Sequence, residues 1–241
     1  MEWIFVVMVV LIASLVKGIT GFGFALVSLP ILVAWFPVKE LIPVLTICNL
    51  LASIVIVLQK KSIPLINASS RLLIYCGSVA TILGVILLSS ISETVVTLVI
   101  AALMALLSVV SIMGKLGTVS NKPVNFVYAG IISGLLAGSV SISGPPLAIF
   151  MKGIRMEKAE FREVFSWFSI ITATIALTGY YMSGLLSWSE VKLSLCFFPI
   201  LYIGSYLGKR INARISLKAF DNMNALICFV SCIILVINLL K

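Results

Sequence analysis

The sequence predicts an all-α polytopic membrane protein: two inverted repeats, each a broken, re-entrant helical hairpin followed by three transmembrane helices. Three observations carry that expectation. Long apolar segments fill the chain, basic and uncharged connections alternate between them, and a break rich in glycine, serine and proline recurs at a fixed offset.

Of the 241 residues, 61% are hydrophobic and 10% charged, with a mean hydropathy of +1.24. A soluble domain is nearer half apolar and a quarter charged. Runs such as Leu41–Leu58, Leu72–Leu88, Val95–Met113 and Leu217–Leu240 are nearly continuous. Each has roughly the 20 residues needed to cross a bilayer core. No polar stretch is long enough to form a separate soluble domain.

Taken in order, the N-terminal repeat (1–116) comprises a hairpin over 3–36 and helices over about 40–58, 71–89 and 93–113. The C-terminal repeat (122–241) comprises a hairpin over 124–151 and helices over about 160–183, 190–208 and 217–240. The hairpins follow from charge. Basic connections at Lys60–Arg71, Lys115–Lys122, Lys152–Arg162 and Lys209–Lys218 read as cytoplasmic, whereas Ser89–Glu93 and Ser183–Glu190 contain no Lys or Arg and read as external. The apolar stretch Val124–Met151 lies between two cytoplasmic loops, so one crossing cannot satisfy both ends. A hairpin of two half-helices, each roughly 15–20 Å long with its tip near the membrane midplane, satisfies them. The stretch is interrupted at Ala137–Pro146, and Trp3–Phe36 is interrupted in the same way at Lys17–Gly23. Gly, Ser and Pro together make poor helix interior. This arrangement places 13 of the 17 basic residues inside. Giving each break ordinary crossings instead leaves one basic loop on the wrong side.

The halves align with an offset of 120 residues: Gly18, Gly21 and Gly23 match Gly138, Ser141 and Ser143, while Gly84 matches Gly204 and Cys76 matches Cys196. Repeats of opposite topology are common in secondary transporters, with substrate held between the halves.

The net charge of +9 is spread over short loops and writes topology, so no nucleic-acid partner is expected. The acidic Glu2 near the start, with no cleavage pattern after it, predicts no removable signal peptide. Five cysteines, all inside apolar runs, argue against a disulfide framework. The absence of histidine excludes His-based catalysis and a His metal site, and no nucleophile–base pair or metal cluster is visible. Neither an enzyme, a metal nor a cofactor is expected. No carboxylate falls plainly at mid-membrane, so no acidic proton relay stands out.

Non-helical backbone at membrane depth is tolerated only where it is buried in protein or lines a watery cavity. The two breaks are therefore the candidate site. Exposed glycine N–H groups and the positive ends of the half-helices that follow suit a small anion. Lys17, Gly18, Thr20, Gly21 and Gly23 of the first break, with Gly138, Ser139, Ser141, Ser143, Gly144 and Pro145 of the second, are the expected substrate contacts. Asn49, Cys76 and Cys196 are expected along the pathway. The competing explanation is that the small residues merely let helices pack closely.

The segment Lys17-Gly-Ile-Thr-Gly-Phe-Gly-Phe-Ala-Leu-Val-Ser-Leu-Pro30, paired with Gly134-Leu-Leu-Ala-Gly138 and Ser143-Gly-Pro-Pro146, resembles the TauE/SafE family of sulfite exporters. The likeness covers essentially the full length. It implies a multi-pass inner-membrane transporter for sulfite, organosulfonates or related small anions, driven by an ion gradient and hence coupled to a proton or cation. Phe24 and Ala25 stand where the family often has further glycines, and serines replace glycines in the second motif. The expected activity is secondary transport by alternating access. The alternatives are a passive anion channel with the same breaks as its filter, and a structural membrane subunit that does not transport.

Overall fold

The computed structural model describes residues 2–58, 67–113 and 119–212, with Leu226, Phe229, Val230 and Ile233 of the last apolar run. The expected helix 217–240 therefore falls largely outside the described residues, as do Cys228 and Cys232. Among the described residues every regular element is an α-helix: α1 Glu2–Thr20, α2 Phe24–Leu32, α3 Val38–Leu58, α4 Ala68–Ser90 and α5 Glu93–Met113. They are followed by α6 Pro123–Val140, α7 Gly144–Gly153, α8 Lys158–Met182, α9 Trp188–Cys196 and α10 Phe198–Asn212. By length and composition α3, α4, α6 and α8 can each cross a membrane, and α9 with α10 makes a fifth span if the bent pair is counted as one.

Local signals set the boundaries. Asn67 opens α4 by accepting the Ser70 N–H at 2.7 Å. Ser187 and Glu190 form a reciprocal capping box at the start of α9. The expected straight helix 190–208 is instead bent by 47° between α9 and α10. Pro199 explains this, because it has no N–H for the Leu195 carbonyl and its ring crowds the preceding turn.

The two broken segments reverse direction. The rings of Phe126, early in α6, and Phe150, late in α7, meet with centroids 5.0 Å apart. The Val119 N–H donates to the Gly153 carbonyl at 3.0 Å, so the two ends of that segment are adjacent. Phe5 and Trp35 flank the first break in the same way, at 4.9 Å.

The arms are unequal, which differs from the expected pair of half-helices. α1 and α6 have 19 and 18 residues, whereas α2 and α7 have 9 and 10. At about 1.5 Å per residue α6 is roughly 27 Å long, close to a full crossing. The reason is that the small residues before each break do not break the helix. Lys17 to Thr20 and Ala137 to Val140 are helical, and the interruptions are confined to Gly21–Gly23 and Ser141–Ser143. Gly138 stays helical because α4 lies against it: a Cβ there would strike the Thr81 carbonyl oxygen. The Tyr180 hydroxyl also donates to the Gly138 carbonyl at 2.7 Å.

The most extensive helix contact is between α4 and α6, followed by α1 with α10 and α3 with α8. Close approach of α4 and α6 needs glycine on both sides, since a Cβ on Gly134 would land on the Gly77 carbonyl. Two apolar cores result. One joins α1, α2 and α3 to Tyr180 and Leu201, and the other is aromatic, built from Phe22, Phe126, Phe150, Phe161, Phe165 and Phe168. Element boundaries recur at the same spacing: α1 and α6 end at 20 and 140, and α2 and α7 begin at 24 and 144. Likewise α3 and α8 begin at 38 and 158, and α4 and α9 at 68 and 188.

Candidate functional site

Both breaks reach a single small cavity. Gly23 and the first turn of α2 (Phe24, Ala25, Leu26) form one side. Ser141, Ile142, Ser143 and the start of α7 (Gly144, Pro145) form the other, with Asn49 of α3 and Phe165 of α8 closing it. Its volume is about 10 Å³, which is at the lower limit for one water molecule.

The breaks are shaped by backbone conformation. Gly21 and Gly23 have φ of 86° and 97°, and Ser141 has φ of 59°. Left-handed backbone is cheap for glycine but costs a side-chain-bearing residue about 1–2 kcal/mol. The strain at Ser141 sits where its hydroxyl meets the Thr46 hydroxyl, 3.1 Å away on α3. Ser143 is the N-cap of α7 and Gly23 that of α2, and neither helix start is closed by a side-chain hydrogen bond. The first N–H groups of a helix have no acceptor within it. In α2 the Val27 N–H already donates to the Gly23 carbonyl at 3.1 Å, and Phe24, Ala25 and Leu26 of the same turn line the cavity. In α7 two of the four positions are Pro145 and Pro146, which have no N–H, so α2 is the stronger donor end.

Behind Asn49 lies Lys17, fully buried on the last turn of α1. Its Nζ donates to the Asn49 carbonyl at 2.8 Å, to Asn49 Oδ1, and to Ser53 Oγ at 2.8 Å. All of these acceptors are uncharged, and no carboxylate pairs with Lys17 among the described residues. Asn49 Nδ2 in turn donates to Ser169 Oγ at 3.1 Å, and Ser53 Oγ is 3.0 Å from the same hydroxyl. This polar network ties α1, α3 and α8 together beside the cavity.

The expected contacts thus divide. Gly23, Ser141, Ser143, Gly144, Pro145 and Asn49 line the cavity. Lys17 lies one residue behind it, through Asn49. Thr20 does not present a donor, because its hydroxyl bonds the carbonyls of Val16 (2.9 Å) and Phe22 and accepts the Phe22 N–H (3.2 Å). It fixes the turn. Gly21 packs against the Arg162 side chain, Gly18 against Ser205 and Gly208, and Gly138 against Thr81. For Gly18 and Gly138 close packing is the role seen. Ser139 bonds back to the Leu135 carbonyl at 2.8 Å, within its own helix. Cys76 is half-buried and Cys196 exposed, and neither lines the cavity.

Several participants were not singled out from the sequence: Thr46, Ser53, Phe165 and Ser169. The 120-residue offset could have found Ser169, since it is the counterpart of Asn49 and the two bond directly. Phe22 was also passed over. It reaches from the first break to the second, where a Cβ on Gly144 would collide with its ring.

The described residues hold no group of three or more His, Cys, Asp or Glu side chains that could bind a metal. What the site offers is helix-end N–H donors, hydroxyls and one buried cation, a set suited to a small anion. Comparison with curated proteins and with solved structures finds no match. A sequence model of one family, Sulfite exporter TauE/SafE, matches residues 6–235. With nearly its whole length matched and its spans formed by apolar helices, this chain belongs to the TauE/SafE sulfite exporter family and is a multi-pass membrane transporter rather than an enzyme.

Proposed function

We propose that the protein carries a small sulfur-containing oxyanion, sulfite or an organosulfonate, across the inner membrane by alternating access. The anion is held between the two breaks, against the N-terminus of α2, with Lys17 as its counter-charge. The observation that carries this is the fully buried Lys17, held only by uncharged acceptors next to a cavity that both breaks line. A buried cation without an anionic partner is costly, and a bound anion offsets that cost. The cavity is too small for sulfite as it stands, so loading requires the site to open. That favours a carrier over an open channel.

In this reading the halves are inverted repeats that rock about the site. The recurrence of helix boundaries at 120 residues supports it, as does the reciprocity of contacts. α6 packs on α4, and its counterpart α1 packs on α10; α3 and α8, counterparts of each other, meet through Asn49 and Ser169. Each hairpin returns to the side it entered, in keeping with the two basic loops flanking 124–151.

The test is flux of radiolabelled sulfite in liposomes containing the purified chain. Saturable flux that responds to a pH or ion gradient is expected. Non-saturating conductance would replace the carrier with a channel, and no flux of any sulfur oxyanion would reject transport of this class.

A further inference from the structure

Among the described residues of the network beside the cavity, Lys17 is the side chain that can change charge, and its partners fit it in both forms. Its fully buried Nζ has three acceptors: the Asn49 carbonyl and Ser53 Oγ at 2.8 Å each, and Asn49 Oδ1. The two Asn49 oxygens can only accept, whereas the Ser53 hydroxyl can accept or donate. An ammonium donates to all three. A neutral amine donates its two N–H groups to the Asn49 oxygens and takes the Ser53 hydrogen on its lone pair. When the lysine is charged, that hydrogen has other acceptors, because Ser53 Oγ lies 2.8 Å from the Asn49 carbonyl and 3.0 Å from Ser169 Oγ. Rotation of one hydroxyl therefore converts the set from one state to the other. Carboxylates in these positions would hold the ammonium alone.

The elements packed around Lys17 supply it with no hydrogen-bonded counter-charge. On α3 its titratable neighbour is the Cys48 thiol, which is uncharged at neutral pH. α2 carries no ionisable residue. α8 offers Ser169 to the network, and its Arg162 and Glu163 lie about two turns earlier. α10 packs on α1 through Gly204 and Gly208, and its charged residues, Lys209 and Arg210, are in its last turn. None of these charged groups is a hydrogen-bond partner of Lys17. What occupies the neighbouring cavity then decides the charge of Lys17. An empty site bears the cost of a lone buried ammonium, as desolvation or as loss of the proton, and a bound anion removes that cost. Anion and proton are thus linked, each raising the affinity for the other by the same factor.

We infer that Lys17 is the proton-coupling residue of the carrier: its amine takes up a proton as the anion docks and gives it up when the anion leaves. The proton comes from solution, the nitrogen lone pair forms the new N–H bond, and the Ser53 hydrogen turns back to the Asn49 carbonyl or Ser169. Proton and anion travel together, and the empty site returns with a neutral amine. The inference rests on the transport reading above and names the coupling ion that reading leaves open.

The experiment is calorimetric titration of detergent-solubilised protein with sulfite, at a pH where free sulfite is the dianion and in buffers of different ionisation enthalpy. Wild type should take up about one proton per anion bound, and its affinity should fall about tenfold per pH unit on the alkaline side. K17R keeps the charge but cannot release its proton, so it should bind with no proton uptake and with a flat pH profile. Size-exclusion profiles show whether K17R folds; if it does not, K17M titrated at raised sulfite should likewise bind without proton uptake. Saturable binding by wild type with no proton uptake overturns the inference and leaves the transport reading standing. Uptake that persists in a folded Lys17 variant also overturns it, by placing the proton on another group or on the anion. Failure of wild type to bind any sulfur oxyanion refutes the transport reading itself, which is a separable outcome.

Discussion

Replacing Lys17 with methionine keeps most of the length and the apolar character of the stem and removes the charge and the donors. The structure gives the two consequences opposite signs for stability. Three acceptors lose a donor, namely the Asn49 carbonyl, Asn49 Oδ1 and Ser53 Oγ. An orphaned buried acceptor costs about 1–3 kcal/mol. Against this, a buried cation disappears, and its desolvation cost of several kcal/mol goes with it. Ser53 also keeps its own bond to the Asn49 carbonyl at 2.8 Å and its contact with Ser169. The net change in stability is therefore small, and K17M should fold. Binding has no such compensation. A unit charge about 5 Å from the anion contributes roughly 3 kcal/mol at an effective dielectric of 20. Truncating one partner of a buried charge pair costs about 2–5 kcal/mol. Sulfite affinity should therefore fall between about 30-fold and several thousand-fold. The assay is equilibrium binding of sulfite to detergent-solubilised protein, with thermal unfolding of the same sample as a folding control. A folded K17M that binds sulfite within threefold of wild type would refute the counter-charge argument.

Three further outcomes follow from the same geometry. N49D places a carboxylate on Lys17 Nζ and supplies the cation with a permanent partner; thermal stability should hold or rise while sulfite transport falls at least tenfold, and retained transport would show that the charge of Lys17 is not used. G144A forces the Phe22 ring away from the second break and should lower transport in protein that still folds, whereas G134A drives a Cβ into the Gly77 carbonyl and should lower stability by several kcal/mol; flux and unfolding temperature measured on both separate site from packing. Y180F removes the hydroxyl that donates to the Gly138 carbonyl and should destabilise by about 1–2 kcal/mol, read as a lower unfolding temperature with sulfite affinity unchanged.

Much of the cavity's location was legible in the sequence, but which of the small residues line it was not. The doubled small-residue motif identified both breaks, and both line one cavity. Not every small residue of the motifs lines that cavity. Gly18 and Gly138 are helical and pack against neighbouring backbone, and Thr20 and Ser139 use their hydroxyls locally. Glycine and serine serve close helix packing and ligand binding through the same small size, so composition cannot separate the two uses. Cys76 and Cys196 were paired by the repeat, yet both stand apart from the cavity. Cysteine is a common apolar filler, and equivalence under a repeat does not place a side chain near the axis. The unequal arms were hidden for a related reason. Whether Gly138 ends a helix depends on α4 lying against it and on Tyr180 holding its carbonyl, and both partners are more than 40 residues away in sequence.

The sequence by itself determined the solvent: apolar runs of bilayer length, charge confined to short connections, and membership of a transporter family are properties of local composition and order. Only the tertiary structure decided what each polar group does. Lys17 is 32 residues from Asn49 and 36 from Ser53, and Asn49 is 120 from Ser169. A buried hydrogen-bond network takes its partners from whichever helices pack together, and no local pattern records that choice.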